Sequence, residues 1–192
     1  MKLRSIFKKH KINIFTKKKK DGKIRLHLGT GEDYWPNWVN IDSSPNAVCD
    51  LRMDFTQIRE RYDDNSIAEV AMIHSLSYLR LWQARKLFVD IYTLLLPGGR
   101  LIIELPDLAK CAIHALKNEN NIGEYLEAVR GLYAFDMNQI ENCDMFTPYA
   151  FGWAGWHLKK ELEHIGFVQV MLSEPRTHGP RSWRDIRVEA TK

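Results

Sequence analysis

The chain has 192 residues, 45% hydrophobic and 27% charged, which suits one globular domain with a core of its own. Its three cysteines, Cys49, Cys111 and Cys143, are too few and too scattered for a disulfide framework or a metal cluster, and point to a reducing compartment. No apolar run approaches the ~20 residues of a membrane span, and the basic, interrupted start lacks the apolar centre of a signal peptide.

The net charge of +4 is unevenly placed. Residues 1–20 carry nine Lys or Arg and no acid, leaving 19 basic against 24 acidic side chains in the rest, a net −5. A whole-chain excess of positive charge suggests nucleic acid; this partition argues against it for residues 21–192, the expected folded domain. The basic stretch reads as a solvated terminus. If helical, it would align Leu3, Ile6, Phe7 and Ile14, a surface suited to peripheral contact with anionic lipid.

From residue 23 the pattern alternates. Residues 23–28 read as a strand running into Gly29-Thr30-Gly31, and 38–42 as a second strand ending on Asp42. A short third strand is expected over 47–51 and, after the turn Asp63-Asp64-Asn65-Ser66, a fourth over 67–74. Leu81, Ala84, Leu87, Phe88, Ile91 and Leu95 have helical spacing over 81–96, with Pro97-Gly98-Gly99 as the stop. Residues 100–105 form the fifth strand. Residues 109–147 show helical spacing only and read as an insertion. A helix over 158–165 and strands over 167–172 and 185–190 complete the chain. Seven strands alternating with helices predict an α/β fold, a doubly wound, mostly parallel sheet with helices on both faces.

A strand that ends in a glycine turn lets backbone approach a ligand closely, and open α/β sheets bind ligands at that edge. Asp42, at the end of the next strand, could accept both ribose hydroxyls of a nucleoside. A dinucleotide fingerprint wants a third glycine and an acid ~20 residues on. Here the third glycine is missing, Asp42 follows Gly29 by 13 residues, and the link 32–37 is too short for a pyrophosphate-binding helix. No Gly-Lys-Ser/Thr loop is present for a nucleoside triphosphate.

These stretches resemble, in order, small class I S-adenosylmethionine-dependent methyltransferases. The matches are His27-Leu28-Gly29-Thr30-Gly31, Trp38-Val39-Asn40-Ile41-Asp42, Asp63-Asp64-Asn65-Ser66 leading to His74-Ser75-Leu76, Leu96-Pro97-Gly98-Gly99-Arg100-Leu101, Leu105-Pro106-Asp107-Leu108, and Arg184-Asp185-Ile186-Arg187-Val188-Glu189. Within that family the look is of small enzymes of bacterial surface-glycan synthesis. The resemblance implies S-adenosyl-L-methionine as cofactor, with Gly29, Thr30 and Gly31 under its methionine part and Asp42 on the ribose. Asp50 and Leu51 would face the adenine, Asp54 being a competing candidate, and His74 and Ser75 would line the methyl-donor pocket.

A hydroxyl acceptor benefits from a base that titrates near the working pH, so His74 is the candidate catalytic residue. Tyr78, Asp107, His157 and His178 are candidates to border the acceptor, and no ligand spacing supports a metal. Where the family continues its histidine motif with Glu-His, this chain has Ser77-Tyr78, so cofactor binding is better supported than catalysis. Loop aromatics (Tyr34, Trp35, Trp38, Tyr149, Phe151, Trp153, Trp156, Trp183) suit stacking on sugar rings. The expectation is O-methylation of a saccharide or glycan-linked acceptor, in the cytoplasm or at the inner membrane face, under a helical cap formed by 109–147. The alternatives are a catalytically weakened binding module and a nucleic-acid methyltransferase, the latter disfavoured because no aromatic follows Pro106 to stack on a flipped base.

Overall fold

The structure, a computed structural model, describes residues 22–134, 148–177 and 182–192. The basic stretch 1–20, most of the second half of the insertion and His178 lie outside the described residues. Seven strands form one sheet in the order β3-β2-β1-β4-β5-β7-β6. They are β1 (Ile24–Leu28), β2 (Val39–Asp42), β3 (Leu51–Arg52), β4 (Ile67–Ile73), β5 (Leu95–Pro106), β6 (Val168–Ser173) and β7 (Asp185–Thr191). Only β7 opposes the rest, pairing antiparallel with both β5 and β6.

The expected parallel sheet is thus present, with two differences at strand ends. The third strand shrinks to Leu51–Arg52, because residues 43–50 form a loop tied by Val48 N–H to Gly31 C=O and Asp50 N–H to Asn40 C=O. Pro97-Gly98-Gly99 does not stop a helix. The helix α1 (Leu81–Leu94) ends before it, and the tripeptide lies within β5. Leu95 already pairs with Ile67, the next partner pair is Glu69 with Arg100, and Gly98 N–H and Gly99 C=O bond Lys192. The turn residues therefore bulge inside a ladder that pairing sustains.

Each strand turns alternate side chains to opposite faces. One set (Leu26, Leu28, Val39, Ile41, Val70, Met72, Leu101, Ile103) is buried in the main apolar core. Against it pack a 3-10 helix (Phe55–Glu60), α1 through Leu87, Phe88 and Ile91, and a later helix (Gly155–Ile165) through Leu158 and Leu162. The crossovers β1–β2 and β2–β3, on the other side, contain no helix. The sheet is wound from both sides as expected, but loops replace the helices expected on the second face.

The alternate residues of that second face carry charge. Arg25 pairs with Glu69 at 2.7 Å, Glu69 with Arg100 at 2.7 Å, Arg187 with Glu189, and Arg187 with Glu104 at 2.6 Å. A ladder of opposite charges thus crosses β1, β4, β5 and β7. Glu104 is fully buried and also accepts the backbone N–H groups of Arg176 and Thr177.

The loop between β1 and β2 needs a substitute for a helix, and buried Asn40 supplies it. Its side chain accepts from Trp35 N–H and donates to Trp35 C=O, Trp38 C=O and Asp50. Trp35 in turn stacks on buried His27 at 4.3 Å. Truncating Asn40 would take the partner from three half-buried backbone groups at once. Asn40→Ala is therefore expected to lose about 2–4 kcal/mol of stability, read as a lower urea midpoint with unchanged slope.

The insertion begins as two packed helices, α2 (Leu108–Lys117) and α3 (Ile122–Tyr133), rather than one run; Asn118–Asn121 separates them, and Asn121 caps α3. It returns to the sheet where Trp153 bridges Asp107 and Leu108 N–H bonds Trp153 C=O at 2.8 Å. The helix after it, α4 (Gly155–Ile165), starts three residues earlier than the spacing suggests and ends on Gly166, whose φ is 118°.

Candidate active site at the carboxyl edge of the sheet

The strand order reverses between β1 and β4, and the carboxyl ends of β1, β2 and β4 open on one edge, where such folds bind ligands. Gly29 and Gly31 both have positive φ, 73° and 53°. Gly29 is required on a second count, because a Cβ there would lie 2.3 Å from the Cβ of Ser75. Nothing stands within 4 Å of a Cβ at Gly31, so the outer side of the turn is open to a ligand. Thr30 fixes the turn by donating to Val48 C=O.

Asp42 crosses from β2 to this turn. One carboxylate oxygen accepts Gly31 N–H at 2.8 Å and the other accepts Ser44 N–H at 2.7 Å. Each oxygen keeps further acceptor capacity, which matches a pair of ribose hydroxyls. The wall beside the turn is apolar and half-buried: Leu51, Met53 and Phe55, with Phe55 reaching to within 3.2 Å of a Cβ built on Gly29.

Other expected site residues hold the fold instead. Asp50 accepts Tyr34 O–H, Asn40 N–H and the Asn40 amide, so its carboxylate anchors the loop. Asp54 caps the 3-10 helix through Thr56. Ser75 is buried under the turn and donates to Leu28 C=O, which supports the turn from below. Asp107 caps two helices, accepting Ala109 and Lys110 N–H with one oxygen and Gly155 N–H with the other. His157 lies in the helix layer, stacked on Trp153 and bonded to Glu161, which also pairs with Arg85 of α1.

His74 does stand at the edge. It follows β4 with φ at 54°, a left-handed conformation uncommon for a residue with a Cβ, and its N–H bonds Glu104 C=O at 2.7 Å. A residue held off the ordinary backbone regions is the kind of local strain found at working sites. Its Nε2 lies 3.5 Å from the carboxylate of Asp185, at the start of β7. Tyr78, 43% exposed, and Tyr149 meet edge to face at 5.0 Å. The backbone of 150–151 is pinned to Ser77 C=O, so Ser77, one of the departures from the family pattern, anchors the returning insertion. Burial raises the pKa of both tyrosines, which stay protonated near neutrality. Burial also pushes the nearby Cys111 thiol up to about 12, which rules it out as a nucleophile.

Most of the tryptophans expected to meet sugar pack within the protein: Trp35 on His27, Trp153 in the core, Trp183 on His114. Asp185 escaped the site reading because it is distant in sequence and pairs locally with Arg184; only its place at a strand start hinted at the edge. Among the described residues no group of three metal-ligating side chains occurs, and no helix is long and apolar enough to cross a membrane.

No protein-family model matches the chain, and no curated protein sequence matches it. Solved structures do. A SAM-dependent methyltransferase from Methanosarcina mazei superimposes with a TM-score of 0.60 at 13% identity, over 88% of this chain and 91% of that one. One from Archaeoglobus fulgidus gives 0.59 at 13%, over 89% and 87%. Phosphoethanolamine N-methyltransferase 2 of Haemonchus contortus, in complex with phosphomonomethylethanolamine and S-adenosylhomocysteine, gives 0.54 at 11%, over 88% and 48%. The chain has the class I SAM-dependent methyltransferase fold.

Proposed function

We propose that the protein is an S-adenosylmethionine-dependent methyltransferase acting on a hydroxyl of a saccharide or glycan-linked acceptor. The observation that carries this reading is the Asp42 carboxylate bonded across to the open Gly29-Thr30-Gly31 turn at the reversal of strand order. Gly31 and its neighbours would hold the methionine part, Asp42 the ribose, and Leu51, Met53 and Phe55 the adenine face. When bound, the cofactor supplies an electrophilic methyl whose bond electrons remain on sulfur. The chain's own task is to align the acceptor, exclude water and take one proton.

His74 takes that proton from the acceptor hydroxyl as the oxygen pair forms the new bond to carbon, and later releases it to solvent. Tyr78 and Tyr149 offer ring faces beside it, suited to the apolar face of a pyranose. A lipid-anchored acceptor would give the nine basic residues of 1–20 a purpose, holding the enzyme at an anionic inner membrane face. The test is S-adenosylhomocysteine formation with a panel of methyl pyranosides. Turnover with at least one supports the reading. Silence across the panel while the cofactor binds contradicts it and favours a non-catalytic module.

A further inference from the structure

We infer that Asp185, clamped by Arg184, positions His74 and stabilises the charge its ring gains. The inference rests on the reading of His74 as the base, and it assigns roles to two residues outside the cofactor motifs. Asp185 is only 1% exposed. Arg184 grips its carboxylate bidentately, Nε to Oδ1 at 2.6 Å and Nη2 to Oδ2 at 2.8 Å. The backbone is fixed as well. Asp185 pairs with Pro106 in the sheet, Asp107 N–H bonds Arg184 C=O at 2.8 Å, and Lys110 Nζ bonds Asp185 C=O at 2.9 Å. A rigid carboxylate is thus presented at the carboxyl edge, and Oδ2 is the atom that faces His74 Nε2 at 3.5 Å. Such contacts tighten when an acceptor closes the site.

At 3.5 Å the two atoms stand at ion-pair distance, and the hydrogen bond that a closer approach forms selects a tautomer. Nε2–H then points to Asp185, Nδ1 is the nitrogen that accepts the acceptor's proton, and the carboxylate faces an imidazolium. The hydroxyl proton moves to Nδ1, the oxygen keeps its electron pair for the bond to carbon, and Asp185 stays ionised throughout. The left-handed backbone at His74 belongs to the same arrangement, in which its ring reaches from the end of β4 to Asp185 at the start of β7. Among the described residues, the ionisable groups near the pair include Arg184, Lys110 and Cys111 on α2, Asp107 at its start, and Tyr78 and Tyr149.

Nitrogen-15 ring spectra of the full chain test this, with His74 assigned by the peaks lost in His74→Asn. The expected result is protonated Nε2 in the neutral wild-type ring, and in Asp185→Asn a His74 titration midpoint lower by about one pH unit or more. In the pyranoside assay, kcat of Asp185→Asn falls roughly 100-fold with KM unchanged. A neutral ring protonated at Nδ1, or a midpoint unmoved in folded Asp185→Asn, overturns the inference. If Asp185→Asn does not fold, the wild-type tautomer alone decides. An enzyme silent on every pyranoside would sink the functional reading, and the ring spectra would still decide the pairing.

Discussion

His74→Asn is expected to lower kcat for methyl transfer by about 10²- to 10⁴-fold, the contribution of a well-placed general base. Asparagine is the informative replacement because it tolerates the left-handed backbone that His74 adopts, so loss of rate would not be loss of local structure. The amide can hydrogen-bond but cannot take a proton near neutrality. Affinity for S-adenosylhomocysteine should change little, since the proposed cofactor contacts come from the glycine turn, Asp42 and the apolar wall of Leu51, Met53 and Phe55. His157→Asn is the matched control: that ring pairs with Glu161 in the helix layer, and its loss should leave kcat unaffected. Steady-state kinetics over a pH series check both, and equal losses in the two variants would remove His74 from the reaction.

Glu104→Ala is expected to destabilise the fold by about 3–5 kcal/mol, because it removes one of the two carboxylates, Glu104 and Glu189, that pair with the buried Arg187 guanidinium. Two backbone N–H groups, of Arg176 and Thr177, lose their acceptor in the same change. Chemical denaturation would show it as a lower midpoint. Glu161→Ala, which breaks the more exposed pair with Arg85, should lose no more than about 1 kcal/mol. Acid behaviour follows from the same ladder. Burial alone would raise the Glu104 carboxyl, but Arg187 and the two N–H groups outweigh it and hold it below the ordinary value; Arg25 and Arg100 do the same at Glu69. Carboxyls lowered in the folded state add stability that is complete above their unfolded pKa and is lost as pH falls through the folded one. Unfolding should therefore set in below about pH 4.5 and be displaced in Glu104→Gln, which no longer titrates there.

The strands and their order of appearance were legible because buried parallel strands are short apolar runs bounded by turn residues. The place of Asp42 beside the glycine turn was legible as well, since it follows from where β1 and β2 end. Carboxylates that cap or brace were not. Asp50 and Asp107 look in sequence like site acids, and only the fold shows that Asn40, Ala109 and Gly155 occupy their oxygens. Pro97-Gly98-Gly99 misled for another reason: local turn propensity lost to a ladder whose partners, Ile67 and Lys192, lie far away along the chain. Asp185 illustrates the same limit at the site, because its relation to His74 exists only once β7 inserts beside β5. Asn40 was read as part of a strand motif. Its role as the brace for a loop that replaces a helix depends on four groups no periodicity reveals.

A cofactor site built on Asp42 and the glycine turn has a direct consequence for ligand binding. Calorimetric titration of the full chain with S-adenosylhomocysteine tests it most directly. One site per chain with a Kd in the micromolar range is expected, weakened at least about 100-fold in folded Asp42→Ala by the loss of two charge-assisted hydrogen bonds. No binding to the intact protein, or equal binding to Asp42→Ala, would contradict it.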